Sequence, residues 1–106
     1  MLSLLLILAA PQAYGPDTCI NGYVWREAVP NDHVCVVPAV RAAARVDNEQ
    51  ARYRVSLTVH HSGPDTCRDG YVWREATPAD HVCVLPAVRA RARADNAAAP
   101  SRYVSQ

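Results

Sequence analysis

Gly15 to Asn48 reads GPDTCINGYVWREAVPNDHVCVVPAVRAAARVDN, and Gly63 to Asn96 reads GPDTCRDGYVWREATPADHVCVLPAVRARARADN. The second stretch is the first displaced by 48 positions. Seven of the 34 aligned residues differ, which leaves 27 identical. The differences are Ile20/Arg68, Asn21/Asp69, Val29/Thr77, Asn31/Ala79, Val37/Leu85, Ala43/Arg91 and Val46/Ala94. A chain of 106 residues holds one ordinary domain or two very small ones, and the repeat decides for two. Module one is read as residues 14–55, a linker as 56–62 and module two as 63–106. At this size a hydrophobic core alone stops being sufficient, and disulfides or metals usually contribute.

The first module reads as α+β. Gly15-Pro16-Asp17-Thr18 is turn chemistry, and Asn21-Gly22 is a second turn pair. Tyr23 to Ala28 is rich in strand formers. With period two it sets Tyr23, Trp25 and Glu27 on one face and Val24, Arg26 and Ala28 on the other. Val29-Pro30-Asn31-Asp32 breaks the run, and His33 to Val37 reads as a returning strand, which makes an antiparallel hairpin. Pro38 suits the first turn of a helix, where its missing N–H is not needed. The Ala- and Arg-rich stretch from Ala39 to about Gln50 continues that helix. Tyr53 to Val59 alternates and reads as a further strand before His60-His61-Ser62 restarts the module. The expected fold is therefore two tandem modules, each a β-hairpin plus one helix.

Four cysteines fall at the same repeat positions, Cys19 and Cys35, then Cys67 and Cys83. An even count in a small chain reads as a disulfide framework. Of the three connectivities, the repeat favours Cys19–Cys35 and Cys67–Cys83, because each module is then self-contained. Closing a loop of 17 residues stabilises each module by about 3 kcal/mol on the chain-entropy argument. Residues 1–13 point the same way. The apolar run MLSLLLILAA, followed by small residues, matches the apolar region of a secretory signal. It lacks the usual basic start, and it is too short to span a bilayer.

Composition excludes more than it assigns. Residues 15–62 carry five Arg and five acidic residues, and residues 63–106 carry six and five, so neither copy has the excess of a nucleic-acid-binding or polybasic membrane surface. All eleven cations are Arg and none is Lys, which fits the codon bias of a GC-rich genome. Only Arg26 and Arg74, each beside a Trp, suggest bidentate or stacked contacts; Asp32 is one partner for Arg26.

Three side-chain groups carry candidate chemistry. Tyr23, Trp25 and Arg26, with Tyr71, Trp73 and Arg74, form an aromatic and basic row that could stack on sugar rings or grip an extended peptide. The same Trp and Tyr, with Val34, Val36 and Val40, are also the obvious core of a module with so few large apolar residues. Cys19, His33 and Cys35, with Cys67, His81 and Cys83, make three-quarters of a zinc set, although no close C-x2-C pair supports it. Glu27 and Asp32 could serve as paired carboxylates for glycoside hydrolysis, in a module with little room for a water-excluding cleft. No catalytic residue and no cofactor are assigned.

The elements GPDTC, GYVWREA, DHVCV and P-A-V-R with the trailing DN resemble a repeat of secreted actinobacterial proteins, of pattern GPDTC-x2-GYVWREA-x4-DHVCV-x-P. That repeat occurs in tandem or attached to extracellular enzymes. The likeness covers 15–48 and 63–96 and departs from the pattern at Val37 and Leu85, where Thr would be a natural helix cap. It implies export and supplies no catalytic residue. The leading expectation is a secreted, non-catalytic binding module for an extracellular glycan or protein, with no nucleic-acid partner and no membrane span. A purely structural repeat, a small zinc module and a secreted inhibitor or toxin are the alternatives.

Overall fold

The computed structural model describes residues 13–104. The export-signal reading of residues 1–13 therefore lies, apart from Ala13, outside the described residues. Each module is a two-stranded antiparallel hairpin followed by one helix. Strands β1 (Val24–Trp25) and β2 (Cys35–Val36) pair Val24 with Val36 and Trp25 with Cys35. Helix α1 spans Pro38–Gln50. The second module repeats this with β3 (Val72–Trp73), β4 (Cys83–Val84) and α2 (Pro86–Ala98), and the same register.

The strands are shorter than the run of strand formers because the chain turns on side-chain chemistry. Arg26 N–H still donates to Val34 O at 2.8 Å, but Glu27 then enters the left-handed region at φ 52°. Val29-Pro30-Asn31-Asp32 closes a turn through Asp32 N–H to Val29 O, with Asn31 at φ 66°. Proline second and a left-handed Asn third suit a type II turn. Ala79 holds the corresponding place without left-handed backbone. Each helix begins at its proline with no side-chain cap. Proline at the first turn removes one of the N–H groups a cap would serve, so the missing Thr at Val37 and Leu85 does not prevent the helix.

The disulfides are Cys19–Cys35 and Cys67–Cys83, as the spacing predicts. Beside them the core is not the expected aromatic cluster. Val36 and Val84 are fully buried, but Tyr23, Trp25, Val34 and Val40 are only half-buried. The centre is instead two ion pairs. Arg26, 2% exposed, grips Asp32 with Nε to Oδ2 at 2.7 Å and Nη2 to Oδ1 at 3.1 Å. Asp32 also accepts the backbone N–H groups of Ala28 and Val34. Arg74 and Asp80 repeat this at 2.7 and 3.1 Å, with Ala76 and Val82. The reading of Arg26 and Arg74 as ligand-facing is thus corrected: they are buried with Ala28 and Ala76, although Val24 and Val72 on the same face stay half-buried.

These pairs also join the modules. Arg74 Nη2 donates to Ala28 O at 3.2 Å, and Arg26 reaches Ala76 O and Ala92 O at 3.5 Å. Ala28, Ala44, Ala76 and Ala92 are buried around them, small enough to let the two backbones approach.

The segments after the helices are exchanged reciprocally. After a 3-10 turn at Ala51–Tyr53, Arg54 O accepts Arg68 N–H and Ser56 N–H donates to Thr66 O. After the turn at Ala99–Arg102, Arg102 O accepts Ile20 N–H and Val104 N–H donates to Thr18 O. The strand expected over Tyr53–Val59 is therefore reduced to a single bridge between Val55 and Cys67. Ser56 Oγ accepts the N–H groups of Thr58 and Val59, which turns the chain away from the ladder.

Candidate binding site

The trailing arginines hold the tyrosines of the site in place. Arg102 donates to Cys35 O and to Asp95 Oδ1, both at 2.9 Å, and its guanidinium lies 4.8 Å from the Tyr23 ring centroid. Arg54 does the same to the other module, donating to Cys83 O at 3.1 Å and to Asp47 at 2.9 Å, with its guanidinium 5.1 Å from the Tyr71 ring. Each tyrosine is thus held by an arginine from the other module's helix end, a cation–π contact.

Trp25 is fixed from two sides. Its ring stacks on His33 at 3.7 Å and 11°, and its indole N–H donates to Asp17 O at 2.8 Å. His33 Nδ1 is in turn 2.9 Å from Asp17 Oδ2. Trp73, His81 and Asp65 repeat the arrangement, with a stacking distance of 3.6 Å. This explains why GPDTC and DHVC occur together: Asp17 serves the indole with its carbonyl and the imidazole with its carboxylate.

The zinc alternative at Cys19, His33 and Cys35, and at Cys67, His81 and Cys83, has no thiolate to offer, because all four sulfurs are in disulfides. Among the described residues no group of three or more His, Cys, Asp or Glu is placed to hold a metal ion. Asp32, the carboxylate weighed with Glu27 for glycoside hydrolysis, is buried on Arg26 and accepts two backbone N–H groups. No helix among the described residues is long and apolar enough to cross a membrane.

What the structure does bring together is one depression, present on both modules. In the first it has a volume of about 380 Å³ and is lined by Tyr14, Thr18, Cys19, Tyr23, Val24, Trp25 and Arg41. In the second it has about 230 Å³, and Thr66, Cys67, Tyr71, Val72, Trp73 and Arg89 take the matching places with His61 and Ser62. None of the six shared lining positions is among the seven at which the copies differ. The copies diverge where Tyr14 gives way to Ser62. Tyr14 is 72% exposed and meets Trp25 edge-on at 5.7 Å, which adds a wall to the first pocket.

Tyr23, Trp25, Tyr71 and Trp73 therefore line the site as the strand pattern suggests, and Arg26 and Arg74 do not. Arg41 and Arg89 take their place. They stand one helical turn inside α1 and α2, and Arg41 Nη1 and Arg89 Nη1 lie 3.6 Å from Glu27 Oε1 and Glu75 Oε1 respectively. Helical spacing marks Arg41 as off the core stripe, but only the packing of α1 on β1 reveals that it borders the aromatic strand. No protein-family model matches the chain, and comparison with the curated proteins and with the solved structures finds no match.

Proposed function

We propose that the chain is a non-catalytic binding protein of the cell exterior, whose two modules offer the same aromatic pocket to a surface glycan or protein. The observation that carries this reading is the repeated depression, with Tyr23, Trp25 and Arg41 in one module and Tyr71, Trp73 and Arg89 in the other. At about 380 and 230 Å³ the pockets lie at and below the lower edge of the ~300–1,000 Å³ usual for small-molecule sites. Such a pocket grips one ring or one side chain of a larger ligand. Two weak grips on one chain gain affinity through effective concentration, which gives the duplication a purpose. The disulfides favour an oxidising compartment, and the likeness to secreted actinobacterial repeats favours the same place.

The test is co-sedimentation of the full chain with insoluble cell-wall polysaccharide and peptidoglycan, followed by acrylamide quenching of the bound protein. The chain has only two tryptophans, Trp25 and Trp73, one per pocket. Sedimentation together with protection of both from quencher supports the reading. Retention in the supernatant with unchanged quenching on every surface tried defeats it.

A second reading, a repeat serving assembly alone, is favoured by the arginine clamps on Tyr23 and Tyr71. It expects concentration-dependent self-association in sedimentation velocity without any ligand, and no protection of the tryptophans.

A further inference from the structure

The donors of Arg41 and Arg89, which make no hydrogen bond among the described residues, narrow the ligand class. Arg41 makes no hydrogen bond to any described residue; its nearest charged atom, Glu27 Oε1, is 3.6 Å away, beyond hydrogen-bond reach. Arg89 and Glu75 stand at the same 3.6 Å. Arg26 and Arg74 are instead bound to aspartates, and Arg54 and Arg102 to aspartates and carbonyls, although Arg74 Nη1 has no partner. Among the described residues the pocket arginine, in both copies, meets only a glutamate at 3.6 Å and makes no hydrogen bond, which leaves its planar fork available beside the aromatic rings.

From this geometry we infer that the ligand is a carboxylated glycan, a chain of uronic-acid type, whose sugar ring packs on Tyr23 and Trp25 while its carboxylate takes the fork of Arg41. The inference rests on the binding reading above. A guanidinium matches a carboxylate with two parallel N–H donors, whereas hydroxyls alone use it poorly. The C–H face of a pyranose is apolar and flat, as the rings lining the pocket are.

The neighbouring carboxylate sets the ligand's charge. Glu27, half exposed beside Arg41, leaves the pocket close to neutral, so a doubly charged phosphate meets about twice the repulsion that a single carboxylate does. Its oxygens also accept sugar hydroxyls adjacent to the carboxylate. The chain as a whole has a formal net charge of +1, so no broad basic field draws in polyanions of any kind. Selectivity for the carboxylate must come from the fork itself.

Tryptophan fluorescence of the full chain is titrated with oligogalacturonate, with its methyl ester and with a neutral glucan of equal length, in 0.15 M salt. The ester keeps the ring and removes only the charge. The expected result is saturable binding of the acid, weakened at least tenfold by esterification and equally by the double substitution Arg41→Gln and Arg89→Gln. Both arginines are more than a third exposed on helices, and Gln keeps helix propensity, so circular dichroism of the double variant should match the parent. Equal binding of acid, ester and neutral glucan would overturn the carboxylate inference and leave the binding reading standing. Binding of a peptide with a free but not an amidated C-terminus, with no response to any glycan, overturns the glycan and keeps a protein partner. No response to glycans or peptides defeats inference and reading together.

Discussion

At the scale of single residues the decisive fact is that an arginine, not a tryptophan, sits at the centre of each module. Alternation in Tyr23-Val24-Trp25-Arg26-Glu27-Ala28 correctly separates two faces, but hydropathy assigns a charged residue to solvent. Only a partner of opposite charge reverses that, and Asp32 lies six residues away across a turn that had first to fold. The bidentate contact that an Arg beside a Trp suggests is present; the ligand on its far side is an aspartate of the same module. Burying two charges is costly unless donors and acceptors are used; Asp32 and Asp80 accept two side-chain and two backbone N–H groups each, and Arg74 Nη1 is left without a partner. Removing one partner leaves the other charged in the interior. Asp80→Asn is therefore expected to lower stability by about 3–5 kcal/mol, measured by denaturant unfolding. Replacing both partners with apolar residues should not restore it, since the Ala76 and Val82 N–H groups lose their acceptor. A loss under 1 kcal/mol for Asp80→Asn would mean that water reaches the pair.

At the scale of elements, the hairpins, the helices and both disulfides were legible, because each is specified by neighbours in sequence: turn pairs, a proline at the helix start, and cysteines in equal places. The Tyr53–Val59 strand was not. Alternation proposes a strand, but a strand exists only where a partner edge runs beside it, and here Ser56 diverts the chain after one bridge. The second trailing segment shows how much a single side chain adds. Tyr103 stands where the first module has Val55, and its hydroxyl donates to His33 O at 2.8 Å. Burial, reinforced by the charges of Asp17 and Asp32 and opposed by Arg26, raises its pKa above the usual 10.0. A group whose pKa is higher folded than unfolded contributes stability below its unfolded value and loses it as pH rises through the folded one. Stability should accordingly decline above about pH 10, and Tyr103→Phe should flatten that decline while costing about 1 kcal/mol at neutral pH for the lost hydrogen bond. Thermal melts of both proteins from pH 8 to 11 decide it. Parallel curves across that range would show that Tyr103 does not sense the folded state.

The whole molecule is a closed pair, and that closure is the part that sequence reasoning could not reach. The repeat implies two self-contained modules, yet besides the Arg26 and Arg74 contacts the residues that tie them together, Arg54 to Ser56 and Arg102 to Val104, lie outside the aligned stretches. Their pairings also link positions far apart, residue 18 with 104 and residue 20 with 102. The first trailing segment folds onto the module that follows it, whereas the last returns to the module at the start. A pair closed in this way leaves no exchanged segment unpartnered, and it fixes both pockets in one frame. Deleting residues 103–106 tests this without disturbing Arg102, whose contacts with Asp95 and Cys35 O remain. The deletion removes the Val104–Thr18 and Tyr103–His33 hydrogen bonds, both made to module one. At about 1 kcal/mol each, these should lower the protection of module one by roughly 2 kcal/mol. Native-state hydrogen exchange reads this at Ile20, whose N–H donates to Arg102 O, against Arg68, whose N–H donates to Arg54 O in the undisturbed half. Faster exchange at Ile20 with Arg68 unchanged means that each module is clamped by the other's tail. Equal acceleration of both means that the two halves unfold as one body through the buried Arg–Asp pairs, and no change at either removes the C-terminal segment from the forces that hold the fold.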